Sequence, residues 1–266
     1  MDKYKLNSPG FALTCQANVL CSVPKSVPPL KSREELRSNS LIEKCPPVYD
    51  QGNVGSCTAC SLCFLWNMCD VPPYLTPSRM WLYAMERMLL PGFDGKLSDD
   101  GAHAIDGLLV MNRIGMVAED RYPYVETMVN SIPPKDLQKE ASYQKLTSYW
   151  VLDTESQDIG YNIKRSIDSG YGVSWGFLLY KSFHSKADGI IDLPKARNYD
   201  DVRDPNDPLI GGHEVPIVAY DDMTRRYTFA NHWGSSWGNN GYGTVPYEYV
   251  ESRLYTISVC AINTTV

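Results

Sequence analysis

No run in the 266-residue sequence approaches the roughly 18 apolar residues that a membrane span requires, so no membrane partner is expected. Positive charge is also short. There are 25 Lys and Arg against 31 Asp and Glu, for a net charge of −6, and no basic block stands out. That balance argues against nucleic acid as a partner. The first ten residues, Met-Asp-Lys-Tyr-Lys-Leu-Asn-Ser-Pro-Gly, lack the basic n-region and long apolar h-region of a secretory leader. An intracellular setting is therefore expected, with thiols reduced by default. Cysteine is sparse, at eight residues, far below the density of a disulfide-stapled scaffold. Histidine is sparser still, at four, which narrows any search for a catalytic base. No internal repeat and no low-complexity tract is found.

What is present is an ordinary globular composition, 43% hydrophobic and 21% charged, in a chain long enough for one large domain or two modest ones. Residues 1–45 carry several Pro and Ser and two isolated cysteines, Cys15 and Cys21, without sustained periodicity; they are set apart as an N-terminal arm. Helical patterns follow. One fits Ser56–Met68, apolar all round and therefore buried, with Ser56 as N-cap after a glycine-rich turn. A second starts at Thr76-Pro77-Ser78 and stops at Pro91-Gly92. A third fits Gly101–Arg113 with Gly115 as terminator. After Pro133-Pro134 the texture becomes strand-like, in Ser148–Leu152, Gly172–Leu179, Val215–Tyr220, Tyr227–Asn231 and Tyr242–Val245, with one helix over Gln157–Ser169. Helices first and strands second predict an α+β fold of two packed lobes, 46–140 helical and 141–266 β-rich, the C-terminal end being free to return to the helical lobe.

Two chemistries compete for Gln51-Gly52-Asn53-Val54-Gly55-Ser56-Cys57-Thr58-Ala59-Cys60-Ser61-Leu62-Cys63. The run Cys57-x2-Cys60-x2-Cys63-x5-Cys69 superficially matches a cluster-binding spacing. Its intervening residues are helix-compatible and apolar, and each step of three turns the helix by about 300°, so four ligands do not converge. No Cys/His pair elsewhere completes a zinc set. No metal and no cofactor are expected, and Cys60, Cys63 and Cys69 read as small buried hydrophobes. Cys57 differs, because it starts a helix where N–H groups and the dipole favour a thiolate. A thiolate nucleophile needs a base. His103 and His184 lie among polar residues and are expected at the surface. His213 follows Gly211-Gly212 and opens a strand. Eighteen residues on comes Ala230-Asn231-His232-Trp233-Gly234-Ser235-Ser236-Trp237-Gly238-Asn239-Asn240-Gly241-Tyr242-Gly243.

These segments, in this order, resemble the papain family of cysteine peptidases. Gln51-Gly52-x-x-Gly55-Ser56-Cys57 is similar to the family's nucleophile motif, Gly211-Gly212-His213 to its histidine motif, and Asn231-x-Trp233-Gly234-x-x-Trp237-Gly238-x-x-Gly241-Tyr242 to its asparagine motif. Leu97–Ala102, Gly115-Met116-Val117 and Tyr122-Pro123-Tyr124 fall in family order between them. The likeness spans about residues 45–250 and has the flavour of the branch found in microbes and large viruses, which adds packaging in a virion to the expected settings. It implies a papain-like two-lobe fold, a helical lobe and a β-barrel-like lobe with the site in the cleft between, and an endopeptidase acting on peptide or protein substrates. In that reading Cys57 is the nucleophile, His213 its base and acid, the two forming a thiolate–imidazolium pair that works through an acyl-enzyme, and Asn231 the residue orienting the imidazole. The Gln51 side chain and the Cys57 N–H form the oxyanion hole. Trp233 shields the His213–Asn231 bond. Gly101, Ala102 and Gly212 lie, with Trp233, on the substrate side. His232 reads as a surface neighbour.

The sequence departs from the family in places. Thr58 stands where Trp is common, and Val54 stands where a cysteine is common. His213 and Asn231 follow Cys57 by 156 and 174 residues, beyond the roughly 130–150 usual for such enzymes. Insertions are accordingly expected at Val71–Leu97 and at Ser185–Leu209, the second acidic (Asp200, Asp201, Asp204, Asp207) and placed to overhang the cleft. The specificity pocket is expected to use the stretch Pro246–Glu251, with Glu248 or Tyr249 inward. The arm 1–45 is read either as a short propeptide occupying the cleft, which would make the chain a zymogen, or as a strap across both lobes, and Cys15, Cys21 and Cys45 offer a redox tether. A catalytically inactive binding protein is the alternative to a peptidase.

Overall fold

The computed structural model describes residues 38–69, 75–195 and 204–263. The apolar run after Gly55-Ser56 forms helix α1, Cys57–Met68, in which every residue but Asn67 is buried. A helix without a polar face must lie inside, and α1 packs on helices α2 (Arg79–Met88) and α3 (Ala104–Leu109) on one side and on the sheet on the other. Ser56 sits at the N-cap but its hydroxyl does not cap; it meets the Tyr124 hydroxyl at 2.6 Å. Ser78 does cap, accepting the Trp81 N–H at 3.0 Å. The third predicted helix runs as α3 and then as a π-helical turn, Val110–Ile114, ended by Gly115 at φ 106°. Helix α4, Lys135–Ala141, was not expected, and the lobe boundary expected at 140 falls inside it. Among the described residues no helix is long and apolar enough to cross a membrane.

The strands form one antiparallel sheet: β1 Ser38–Ser40, β2 Ser148–Val151, β3 Val173–Tyr180, β4 Leu209–Asp221, β5 Arg226–Ala230, β6 Tyr242–Pro246 and β7 Thr256–Asn263. Their order is β2-β7-β3-β4-β5-β6, with β1 paired to β4. The sheet has two free ends, so it is open and not closed into the barrel-like lobe expected. The thirteen-residue β4 pairs along its first part with β3, from Leu209 to Ile217, and along its last part with β1 and β5. It is also the strand that carries His213, which lies in its interior and does not open it. Helix α5, Ile159–Asp168, takes the place of the one predicted between strands. The last strand, β7, is inserted between β2 and β3, and Ile262 offers its carbonyl to the Cys69 thiol at the end of α1, 3.7 Å away.

Residues 1–37, with Cys15 and Cys21, lie outside the described residues. The final part of the expected arm is built into the sheet: Ser38–Ser40 pair with Ala219–Asp221, Leu41 donates to the Val218 carbonyl, and Asn39 Nδ2 donates to Asp168. Cys45 packs against Met68, its sulfur 4.0 Å from Sδ. Of the acidic stretch, Asp200 and Asp201 lie outside the described residues. Asp207 is turned inward and does not overhang: its carboxylate accepts the backbone N–H and hydroxyl of Ser182 in the short helix α6, Lys181–His184.

Candidate active site

Three chain segments meet at the start of α1. The loop before it is tied to the asparagine segment by backbone: Gln51 N–H donates to the His232 carbonyl at 2.8 Å, Gly234 N–H to Tyr49 at 3.0 Å, and Asp50 bridges Trp233. The same loop is tied to the helical lobe through Asp99, which accepts Gly55 N–H at 2.9 Å and the Tyr83 hydroxyl at 2.7 Å; Tyr83 in turn accepts Gly101 N–H. The turn is tightly enclosed: a Cβ on Gly55 would sit 3.0 Å from Asp99 Oδ1, 3.1 Å from the Tyr83 hydroxyl and 3.5 Å from the backbone nitrogen of Gly101, itself at φ 89°. Gly101, Ala102 and Gly212 are all buried. Tyr124 donates to the Gln51 carbonyl, and its ring and that of Tyr49 both lie against the Arg79 guanidinium, at 4.2 and 4.3 Å. This scaffold of Asp99, Tyr83, Arg79 and Tyr124 was missed from the sequence. The Tyr-Pro-Tyr segment was visible there, but its partners are not adjacent in the chain.

His213 Nε2 and Asn231 Oδ1 are 2.9 Å apart. Asn231 Oδ1 also accepts the His232 backbone N–H at 2.9 Å, so the atom facing the ring is an oxygen and Nε2 is the donor. In the neutral ring Nδ1 then carries the lone pair. Trp233 stacks on the imidazole, centroids 5.1 Å apart at 23°, and His184 meets the other part of Trp233 edge-on at 5.2 Å. His184 was expected at the surface; it is half-buried beside this stack and its field disfavours charge on His213. His232 was likewise expected at the surface and is fully buried, 6.2 Å from the His213 ring and 6.4 Å from Tyr49, because its backbone joins the two loops and draws the side chain in behind them. Of the stretch beyond β6, Tyr249 points inward, its hydroxyl donating to the Leu178 carbonyl, while Glu248 is exposed and pairs with Arg225.

Cys57 is 1% exposed and His213 2%. Burial pushes the Cys57 thiol far up, and the ionised Glu214 side chain adds to that, while the Glu214 backbone N–H points at the sulfur and favours the thiolate. Burial lowers His213 to about 4, against the Asn231 hydrogen bond. Glu214, next to His213 on β4, is pushed up to about 7 by burial, its carboxylate held by Ser174, which meets Ser61 of α1 at 2.6 Å. The residue after Cys57, Thr58, donates to the buried Glu86 carboxylate at 2.8 Å. Gln51 Nε2 donates to Val54, which leaves its second hydrogen, and Gln51 Oε1, His213 Nδ1, Asn231 Nδ2 and both His232 nitrogens are buried without a hydrogen-bond partner among the described residues. Among the described residues no three His, Cys, Asp or Glu side chains converge as a metal set.

The model of the papain family cysteine proteases matches residues 95–265. The chain belongs to this family. The matched span holds His213 and Asn231, while Gln51 and Cys57 precede it. An uncharacterized peptidase C1-like protein of Acanthamoeba polyphaga mimivirus is 32% identical over 227 residues, 81% of this chain and 69% of that protein. Xylellain, a cysteine protease from Xylella fastidiosa, superposes with a TM-score of 0.68 at 28% identity, covering 86% of each chain. Digestive procathepsin L 3 from the larval midgut of Tenebrio molitor, at 18% identity, shares the fold with a TM-score of 0.66 over 89% of this chain and 73% of its own. The protein is thus a papain-like α+β cysteine peptidase, a hydrolase of peptide bonds.

Proposed function

We propose that this papain-family protein is an endopeptidase in which Cys57 attacks the scissile carbonyl and His213 manages the proton. The observation that carries the reading is the Asn231-oriented imidazole, which leaves Nδ1 buried and without a partner on a strand whose next residue, Glu214, aims its N–H at the Cys57 sulfur. In the open, substrate-bound site Nδ1 takes the thiol proton, and the thiolate adds to the carbonyl carbon. The developing oxyanion is met by the remaining Gln51 Nε2 hydrogen and by the Cys57 N–H at the first turn of α1, where the helix dipole favours negative charge. The imidazolium then protonates the leaving amine, and the neutral ring activates water to release the acyl-enzyme. Trp233 keeps water from the His213–Asn231 bond. Gly101 and Ala102 lie beside the nucleophile turn, where small residues let an extended substrate backbone approach.

The buried state of Cys57 and His213 supports a chain that must open before substrate arrives, with the N-terminal arm as the regulating segment. The direct test is cleavage of a peptide library by wild type and by Cys57→Ala. Internal cleavage lost in the variant is the predicted result. Cleavage retained in the variant would contradict the assignment, and removal of terminal residues alone would contradict the endopeptidase reading.

A further inference from the structure

The second cysteine of the nucleophile helix has no place in that chemistry, and its geometry gives it one. We propose that Cys57 and Cys60 form an oxidisable dithiol that a hydroperoxide converts to a disulfide, shutting the site reversibly. The inference rests on Cys57 being the nucleophile only for its effect on activity; the bond itself rests on the geometry.

Cys57 is the first residue of α1 and Cys60 lies one turn on. Helix geometry sets their Cα atoms about 5 Å apart, inside the roughly 4.4–6.8 Å window of disulfides. Side chains on a helix lean toward its N-terminus, and the Cys60 sulfur does so, lying 3.7 Å from the hydroxyl of Ser56, the residue immediately before Cys57. The two thiols are close enough that Cys60 disfavours charge on Cys57. The pair also sits where the helix yields most easily. As the first residue of the helix, Cys57 is tied into the ladder through its carbonyl, which accepts one turn on, so less of the helix must give for it to meet its partner than for a residue of the interior. Cys63 has the same spacing from Cys60, but that pair lies a turn deeper, where the ladder is complete, and neither member is a nucleophile. A Cys-x-x-Cys pair opening a helix is the arrangement used by thiol–disulfide chemistry in general.

The steps balance. Cys57, deprotonated to its thiolate with His213 as base, attacks one peroxide oxygen and the O–O bond breaks; the sulfenic acid forms, and the departing oxygen takes up the proton as an alcohol, or as water from hydrogen peroxide itself. The Cys60 thiol then attacks the sulfenic sulfur, the S–S bond forms and water leaves. Two thiols have lost two electrons and two protons, and the peroxide O–O bond has been reduced. The bridge withdraws the nucleophile and keeps it from irreversible over-oxidation to the sulfinic acid. A thiol reductant restores both thiols. Cys57 is covered as the structure stands, so oxidant and substrate reach it through the same opening.

The test uses the full chain, reduced and then treated with hydrogen peroxide. Mass spectrometry on wild type should show the loss of about 2 Da, the two hydrogens given up on disulfide formation, mapped to Cys57–Cys60, with mass and peptidase activity both restored by dithiothreitol. Cys63→Ala should behave as wild type. Cys60→Ala should instead gain two oxygens on Cys57, as the sulfinic acid, and stay inactive after reduction. Sulfinic acid at Cys57 in wild type with no bridge, or a bridge from Cys57 to a different cysteine, would overturn the proposal. Should Cys57→Ala retain peptidase activity while the wild-type bridge forms, the catalytic reading fails and the dithiol stands; the reverse pattern fails the dithiol alone.

Discussion

At the scale of single residues, the most informative group outside the expected catalytic set is Glu214. Its carboxyl is pushed from 4.5 to about 7 by burial, so the folded protein holds a proton there that the unfolded chain releases. Between about pH 4.5 and 7 the native state therefore binds more protons than the unfolded one, and stability falls as pH rises through that window. His213, lowered from 6.5 to about 4, acts in the opposite sense: its contribution is present above 6.5 and is lost as pH falls toward 4. The two slopes oppose each other in wild type, so the variant isolates Glu214. Glu214→Gln should be more stable than wild type at pH 8 by about 3 kcal/mol, from a shift of about 2.5 pH units, and should lose that advantage at pH 4. Denaturant melts at the two pH values read this directly; an equal difference at both would contradict it. Because ionised Glu214 also raises the Cys57 thiol, the same variant should alkylate faster at Cys57 above pH 7 and no faster at pH 5.

At the scale of elements, α1 is held between two buried acids. Thr58 anchors its first turn to Glu86 of α2, and Ser61 meets the Ser174–Glu214 pair on the sheet. Thr58→Val keeps the shape and removes the donor, leaving a buried carboxyl unpaired on that side. It should cost about 1–3 kcal/mol, read as a lower midpoint in urea with the catalytic rate per folded molecule unchanged; an unchanged midpoint would show that the bond contributes nothing. The elements were unequally legible. Helix α1 could be read because twelve residues of one texture lie between a glycine turn and Cys69, and the strands holding His213 and Asn231 because they are β-branched and aromatic. Helix α4 was not, since Lys-Asp-Leu-Gln-Lys-Glu-Ala buries only Leu137 and Ala141. Strand β7, Thr256–Asn263, was not, since nothing in its own sequence announces that it enters the middle of a sheet. Likewise β4 begins at Leu209 and not after the diglycine, because its pairing with β3 extends the strand through glycines that local propensity would exclude. His184 and His232 were misplaced for the same reason: their surroundings come from contacts remote in sequence.

At the scale of the whole molecule, the catalytic reading requires the loop at Cys57 to meet His213 and Asn231, 156 and 174 residues further on, at the seam of helices and sheet, and then requires that seam to open. Residues 38–41 belong to the sheet through β1, so only 1–37 can be removed without taking a strand away. Deleting 1–37 should raise peptide hydrolysis about tenfold or more, since a site that is mostly covered lowers the competent fraction by such a factor. Equal activity of the two forms would contradict regulation by the arm while leaving the site itself untouched. The account as a whole stands on Cys57 being singled out from its helical neighbours by His213. The measurement that asks this most directly is mass mapping of a thiol-reactive epoxide on the reduced protein. The account predicts a single adduct on Cys57, none on Cys60 or Cys63, and labelling slowed by about 10²–10⁴ in His213→Ala, the range expected for loss of a general base. An adduct on Cys60 or Cys63, or undiminished labelling without His213, would contradict it.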